Sequence, residues 1–464
     1  MKIRELIKRD AGFQYVADNL ECMSAAGRRK LLDTGFSTKA QELEEEWERL
    51  QITLAATSPQ PQPRAYIDLR HCFMQLHDLQ GTLASLSCHT PLNEVELFEI
   101  KNLSYLTGKA RQAVAELGMD KVLPLPDLGE VFSILDPDGT GVVNFYIYDT
   151  YDARLAPLRA ELRTLQEHGG DPQRIADLLA EQNEVQQKVC IRLCDCLYSY
   201  SPLLATSLEQ MAYGDFLCAK AELCRRWHLS RPSIGARLQH QQLINPRLKE
   251  HNETLGLRYQ PVDIVAYNGV TLVTGANMAG KTVLLKSLGT AQLMAQTGMF
   301  VPSDAAVIAL VDDVVYSIGD EQNEMNGLSS YASEIIKISD IVSRCRKEKL
   351  LVLIDEPART TNPVEGKALV QSLISILEQS TSISLVTTHY GQLGSNCRRL
   401  RVRGFVEDMA DVPLTPQNIN RFIDYSLEED TSDEVPHEAL RIAEILGCDH
   451  ELIDSAQKYL APER

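Results

Sequence analysis

A short apolar, β-branched run, Thr271-Leu272-Val273-Thr274, meets Gly275, and a helix-type pattern begins after Gly280. Between them stands G-x-x-x-x-G-K-T, formed by Gly275, Gly280, Lys281 and Thr282. The spacing has a mechanical reason. Glycines let the backbone curl so that successive N–H groups turn inward as a cradle for phosphate oxygens, and the start of the following helix adds a favourable dipole. In such a loop the lysine reaches the β- and γ-phosphates and the hydroxyl holds Mg²⁺. The bare pattern also fits an ordinary glycine-rich strand-to-helix turn. The preceding strand and the amphipathic Val283-Leu284-Leu285 with Leu288 supply the context that favours the phosphate loop. Gly275, Ala276, Asn277, Met278, Ala279, Gly280, Lys281, Thr282 and Val283 are therefore the candidate nucleotide-binding segment, with ATP and Mg²⁺ as the expected ligands.

The 464 residues suffice for two to four domains and a sizeable core. No stretch approaches the apolar length of a membrane helix, and the start MKIRELIKRD is charged rather than signal-like. A cytoplasmic protein with no membrane partner is expected. The 11 cysteines are scattered without a C-x-x-C pair, so they read as reduced core thiols. Cys190 and Cys194 are spaced as a helical pair, but no second pair completes a metal site. The net charge of −18 opposes an extended basic surface for nucleic acid.

Residues 1–64 read as a helical segment ending in the Pro-rich SPQPQPR linker, with a charged run from Glu42 to Glu48 on a solvated face. Residues 65–235 read as an α-helical body. Within it Leu155, Leu158, Leu162 and Leu165 line one helix, Gly169-Gly170-Asp171-Pro172 break it, and a second helix runs from about 173 to 200. The stretch VFSILDPDGTGVVNFYI at 131–147 imitates the start of a calcium loop through Asp136, Asp138 and Thr140. Its closing position is Ile147 rather than Glu, so a β-hairpin with an Asp-Gly turn is expected and no calcium site. From about 262 short apolar strands alternate with helices, at 271–274, about 306–311, 350–354 and 383–387. Residues 236–412 are thus an α/β domain built on a mostly parallel sheet with helices on both faces. Residues 413–464 form an acidic linker and a small helical element.

Leu350 to Ile354 is an apolar strand that ends in Asp355-Glu356. In a phosphate-loop ATPase the first acid serves Mg²⁺ through its water shell and the second polarises the attacking water. A further strand ends in Thr387-Thr388-His389, where the histidine would meet the γ-phosphate. Each feature alone also fits an ordinary strand end. Their order is that of an ABC-type ATPase. The candidate catalytic residues are Glu356, His389 and Lys281, and the candidate metal residues are Thr282 and Asp355.

At this point the chain resembles the MutS family. T-G-A-N-M-A-G-K-T at 274–282 resembles the family's T-G-P-N-M-x-G-K-S/T, and Gly298 to Pro302 matches its G-x-x-V-P. Leu328-Ser329-Ser330-Tyr331 followed by Glu334 resembles S-T-F-x-x-E, Asp355 to Thr361 resembles D-E-x-G-R-G-T, and Thr388-His389-Tyr390 matches T-H-Y. The resemblance implies a dimeric ATPase in which Ser329 and Ser330 act as a signature on the nucleotide of the opposite subunit. It places a helical lever before the ATPase domain and a dimerisation element at 437–460. It also implies that Tyr259 stacks on adenine, although a core tyrosine is nearly as good a reading. The partner would be a second copy or a related subunit.

Departures bear on function. Ala358 and Thr360 stand where the family has glycines, and no segment before residue 60 resembles its mismatch-reading domain. The Gly169-Gly170 turn leaves little room for a DNA clamp. Arg398, Arg399, Arg401 and Arg403 suit phosphate contacts, though their alternation reads more plainly as the solvated face of an edge strand. Two outputs follow. By resemblance the motor binds mismatched or branched DNA. Alternatively it remodels a protein, as the ATPase subunit that reactivates an adenosylcobalamin-dependent lysine 5,6-aminomutase.

Overall fold

The structure is a computed structural model. It describes every residue except 60, 277–278, 319–329, 360, 392, 394–396, 406–421, 431–439, 441–442, 444–446 and 461–464. Before the first strand the chain forms α1 (Ile3–Leu6), α2 (Ala11–Asp18), α3 (Ala25–Asp33), α4 (Ala40–Thr57), α5 (Arg64–Met74), α6 (Gln80–Ser87), α7 (Glu94–Glu116), α8 (Gly129–Ile134), α9 (Leu155–His168), α10 (Pro172–Tyr198) and α11 (Ser201–Trp227). There follow β1 (Ser233–Ile234), β2 (Leu238–Leu243), α12 (Pro246–Thr254), β3 (Val262–Ala266), β4 (Gly269–Thr274), α13 (Lys281–Gln296), β5 (Ala305–Ile308) and β6 (Asp313–Ser317). The chain continues with α14 (Ser330–Cys345), β7 (Leu350–Ile354), α15 (Pro363–Glu378), β8 (Ile383–Thr387), β9 (Arg398–Phe405), β10 (Ile423–Glu429) and α16 (His450–Leu460). No helix among the described residues is long and apolar enough to cross a membrane. The chain divides into two compact units, one of residues 1–19, 35–47 and 226–464, the other of residues 20–34 and 48–225.

The second unit is helical. Leu155, Leu158 and Leu162 on α9 are buried with Leu178, Val185 and Val189 on α10, as their helical spacing requires. Gly169 closes α9 in the left-handed conformation, with φ +71°, and the Gly170 N–H donates to Leu165 O at 2.7 Å. Asp171 caps α10 by accepting from the Gln173 N–H, and Pro172 starts it. Cys190 and Cys194 lie in this core as expected. Among the described residues no group of three His, Cys, Asp or Glu is placed to hold a metal.

The hairpin expected at 131–147 is absent. Residues 129–134 are α8, whose Val131 joins Leu135 in the core. The following apolar residues find no strand partner, and Val142 and Tyr146 are exposed. The turn is organised by the Asp136 carboxylate instead. It accepts from the Gly141 N–H (2.8 Å), the Thr140 hydroxyl (2.7 Å) and the buried Lys101 ammonium (3.1 Å). A lysine ammonium thus stands against the carboxylate that would otherwise begin a calcium loop.

Among its described residues the first unit holds two sheets. The smaller runs β1-β5-β2-β3, with β2 antiparallel to both neighbours. The larger runs β10-β9-β4-β8-β7-β6, parallel throughout except for β10. Its central strands β4, β7 and β8 are buried at every position, as continuous apolar runs covered on both faces should be. Val270, Leu272, Leu350, Val352 and Ile354 share one core cluster with Ile341 of α14 and Val370, Leu373 and Ile374 of α15. Tyr316, one residue along from the cluster's Val315 on β6, meets α13 on the other face. There a Cβ on Gly289 would stand 2.1 Å from the Tyr316 hydroxyl. β9 lies between β10 and β4, so the arginine run is not on an edge strand. Arg398 pairs with Glu429, and Arg403 pairs with Glu428 and Asp424, so these charges are balanced by β10.

Residues 1–19 pack on this unit. The α2 helix approaches α13 so closely that a Cβ on Gly12 would lie 2.3 Å from the Thr290 hydroxyl. Arg9 forks onto the Asp313 carboxylate at 3.2 Å, and Arg344 at the end of α14 reaches the same carboxylate at 2.9 Å.

Candidate functional site

The site is assembled at the C-terminal ends of three adjacent strands. In the order β4-β8-β7, β4 runs into Gly275, β8 into Thr388-His389 and β7 into Asp355-Glu356. Parallel strands present these ends side by side, which is where open α/β sheets place ligands. Gly275 has φ +149° and sits against Val402, where a Cβ would be 3.1 Å from the valine Cβ. Gly280 begins α13 with φ +77°, a left-handed turn that suits glycine.

Lys281 is buried, and its ammonium donates to the carbonyls of Gly275 (2.7 Å) and Ala276 (3.1 Å). It also stands 3.4 Å from Glu356 Oε1, while Arg359 stands 3.8 Å from Glu356 Oε2. The Thr282 hydroxyl donates to Asp355 Oδ2 at 2.6 Å, and the Thr387 hydroxyl donates to Asp355 Oδ1 at 2.6 Å. The structure therefore brings Lys281, Thr282, Asp355 and Glu356 together. Burial holds the His389 pKa below its ordinary value. The Glu356 carboxylate works against that shift, and Lys281 and Arg359 reinforce it, so the imidazole is neutral at pH 7.

Tyr259 lines a cavity of about 200 Å³ with Ala279, Gly280, Val283, Ser287 and Tyr425. Its hydroxyl accepts from the Asn245 N–H at 2.7 Å. Burial raises its pKa, an effect the hydrogen bond with Asn245 only partly offsets. Ser330 opens α14, whereas Ser329, Asn277 and Met278 lie outside the described residues. Three contributors were not singled out for the site by sequence. Thr387 carried a signal in being a hydroxyl at the end of a fully buried strand. Glu334 accepts from the Ala358 N–H at 2.9 Å. Tyr425, on β10, lies 3.0 Å from where a Gly280 Cβ would be, and nothing in its local pattern links it to the glycine loop.

Residues 271–462 match the family MutS domain V. The chain shares this domain with the MutS family. It is 36% identical over 188 residues to Endonuclease MutS2 of Thermus thermophilus, which covers 40% of this chain and 24% of that protein. It is 30% identical over 291 residues to Endonuclease MutS2 of Caldanaerobacter subterraneus subsp. tengcongensis, covering 61% of this chain and 35% of the relative. A third, Endonuclease MutS2 of Lactobacillus helveticus, is 32% identical over 277 residues, 56% of this chain and 32% of the relative. The chain therefore spans only about a quarter to a third of the length of these curated relatives.

Proposed function

We propose that this MutS-family chain binds and hydrolyses ATP at the convergence of β4, β7 and β8, and works as a dimer with composite sites. The observation that carries the reading is the meeting of Thr282 and Asp355 at 2.6 Å beside the Lys281–Glu356 pair. Oxygen donors from one hydroxyl and one carboxylate, without a protein cage, suit Mg²⁺, which keeps waters and phosphate oxygens as its other ligands. Bound there, Mg²⁺ would neutralise charge developing on the phosphates. Lys281 has carbonyls and a carboxylate as its partners, and a polyphosphate competes for the same ammonium. Glu356 then serves as general base towards water, and His389 hydrogen-bonds the γ-phosphate. Gly275 to Val283 form the phosphate loop, and the cavity bounded by Tyr259 and Tyr425 takes the base.

The Ser329–Ser330 segment completes the site of the opposite subunit. ATP contacts both subunits in this arrangement, so it favours the closed dimer, and hydrolysis removes part of that preference. DNA is the substrate on which the motor acts, a reading supported by family resemblance alone. The relatives are named endonucleases, and that activity is not carried over to a chain matching so small a part of them. Nothing in the comparisons supports the aminomutase-reactivating alternative. Mixing a Ser329→Ala protein with a Lys281→Ala protein tests the composite site. Restored hydrolysis in the mixture is expected, and no restoration contradicts the trans arrangement.

A further inference from the structure

The turn after β7 is built against the preferences of its own residues. Glu356 and Ala358 both have positive φ, +46° and +59°, in the left-handed region that L side chains disfavour. Such a turn persists when its surroundings over-determine it. The Glu356 N–H donates to the Thr387 hydroxyl at 2.9 Å and to the Thr387 carbonyl at 3.2 Å. The Tyr390 hydroxyl donates to Ala358 O at 3.2 Å, in the space left by the missing side chain of Gly366. These contacts come from β8 and the residues just after it. On the other side the Ala358 N–H, on a residue only 1% exposed, donates to Glu334 Oε1 at 2.9 Å. Glu334 belongs to the first turns of α14. Removing that acceptor frees the N–H, so the turn would relax towards a conformation that Ala358 prefers.

We propose that Glu334 is a positioning residue for hydrolysis: it holds the Ala358 N–H and thereby keeps the left-handed turn that aims Glu356 into the site. This rests on the reading of Glu356 as general base. Glu334 touches no reacting atom in this scheme. It acts through the backbone two residues beyond Glu356.

The test compares Glu334→Ala, Glu334→Gln and the double variant Glu334→Ala/Ala358→Gly in the full chain. Steady-state ATP turnover is followed together with hydrogen exchange at the Ala358 amide. Glu334→Ala should lower kcat about ten- to a hundredfold with little change in KM, and the amide should lose protection while β7 and β8 keep theirs. Glu334→Gln should retain most of the turnover, because its amide oxygen still accepts from the N–H. Ala358→Gly should recover much of the loss in the Glu334→Ala background, because glycine adopts the turn without being forced. Unchanged kcat in Glu334→Ala overturns the proposal, as does failure of both the glutamine and the glycine variants to recover turnover. A wild-type chain without hydrolysis overturns the ATPase reading and the proposal with it. That case is told apart by Ala358 exchange that still responds to Glu334→Ala.

Discussion

Replacing Asp136 by alanine isolates one buried ion pair in the helical unit. The Lys101 side chain is 0% exposed and that of Asp136 is 3% exposed, with Nζ and Oδ1 3.1 Å apart. The remaining ammonium hydrogens go to Asn144 O at 3.0 Å and the Tyr148 hydroxyl at 3.1 Å, and the Phe132 and Tyr148 rings lie 5.3 Å from Nζ. Asp136→Ala leaves a buried cation facing neutral acceptors, a loss of about 3–5 kcal/mol. Asp138→Ala, on an exposed residue that accepts from the Thr150 hydroxyl, should cost less than about 1 kcal/mol. Urea unfolding followed by far-UV circular dichroism separates these values. Burial by itself would raise the Asp136 pKa, but the Gly141 N–H, the Thr140 hydroxyl and Lys101 together pull it below its ordinary 3.8. The stabilisation is therefore complete above the ordinary carboxylate range and lost as pH falls through the lower folded value. Added Ca²⁺ should leave the wild-type transition unmoved, because an ammonium already faces the carboxylate. A penalty below about 1 kcal/mol for Asp136→Ala, or stabilisation by Ca²⁺, would mean that Lys101 does not depend on this carboxylate.

Two further outcomes follow from backbone strain and burial. Gly280→Ala places a Cβ at φ +77° and 3.0 Å from the Tyr425 ring, whereas Gly256→Ala places one at φ +67° with nothing within 4 Å. Both should lose roughly 1–2 kcal/mol to the backbone in thermal unfolding. Gly280→Ala should lose more than Gly256→Ala, and equal losses would mean that Tyr425 yields freely. His240 is buried with its Nδ1 2.8 Å from the Ser303 hydroxyl, and burial pushes its pKa down to about 4. Its neutral form thus contributes stability above its ordinary 6.5, and that contribution is lost as pH falls towards about 4, on the order of 3 kcal/mol in all. His240→Gln should flatten the stability profile across that window, and an unaltered slope would contradict the assignment.

What could be read from sequence depended on how local the cause was. The ends of β4, β7 and β8 were legible because each is an apolar run that stops at a chemically distinctive residue, Gly275, Asp355 or His389. The helices α9 and α10 were legible from leucine spacing and the Gly-Gly-Asp-Pro break. The hairpin expected at 131–147 failed because the fate of Asp136 is decided by Lys101, distant in sequence and on another helix. The arginines of β9 read as edge residues because their acidic partners lie on β10, beyond a long connection. For the same reason Tyr425 was missed as a site residue, and Glu334 was read only as the last position of the S-T-F-x-x-E-like segment. Their roles arise from a ring set over Gly280 and a carboxylate set under Ala358, and neither leaves a periodic trace. Packing of residues 1–19 on α13 was equally silent, since it depends on one glycine, Gly12, facing Thr290.

If Lys281, Asp355 and Glu356 form an ATP-hydrolysing centre, turnover depends on the Glu356 carboxylate. Steady-state phosphate release from Mg²⁺-ATP, measured for the wild-type chain beside Glu356→Ala, reads this dependence. Wild-type turnover should fall about a hundredfold or more in Glu356→Ala, while binding of a fluorescent ATP analogue is retained. Equal turnover in the two proteins would contradict that dependence.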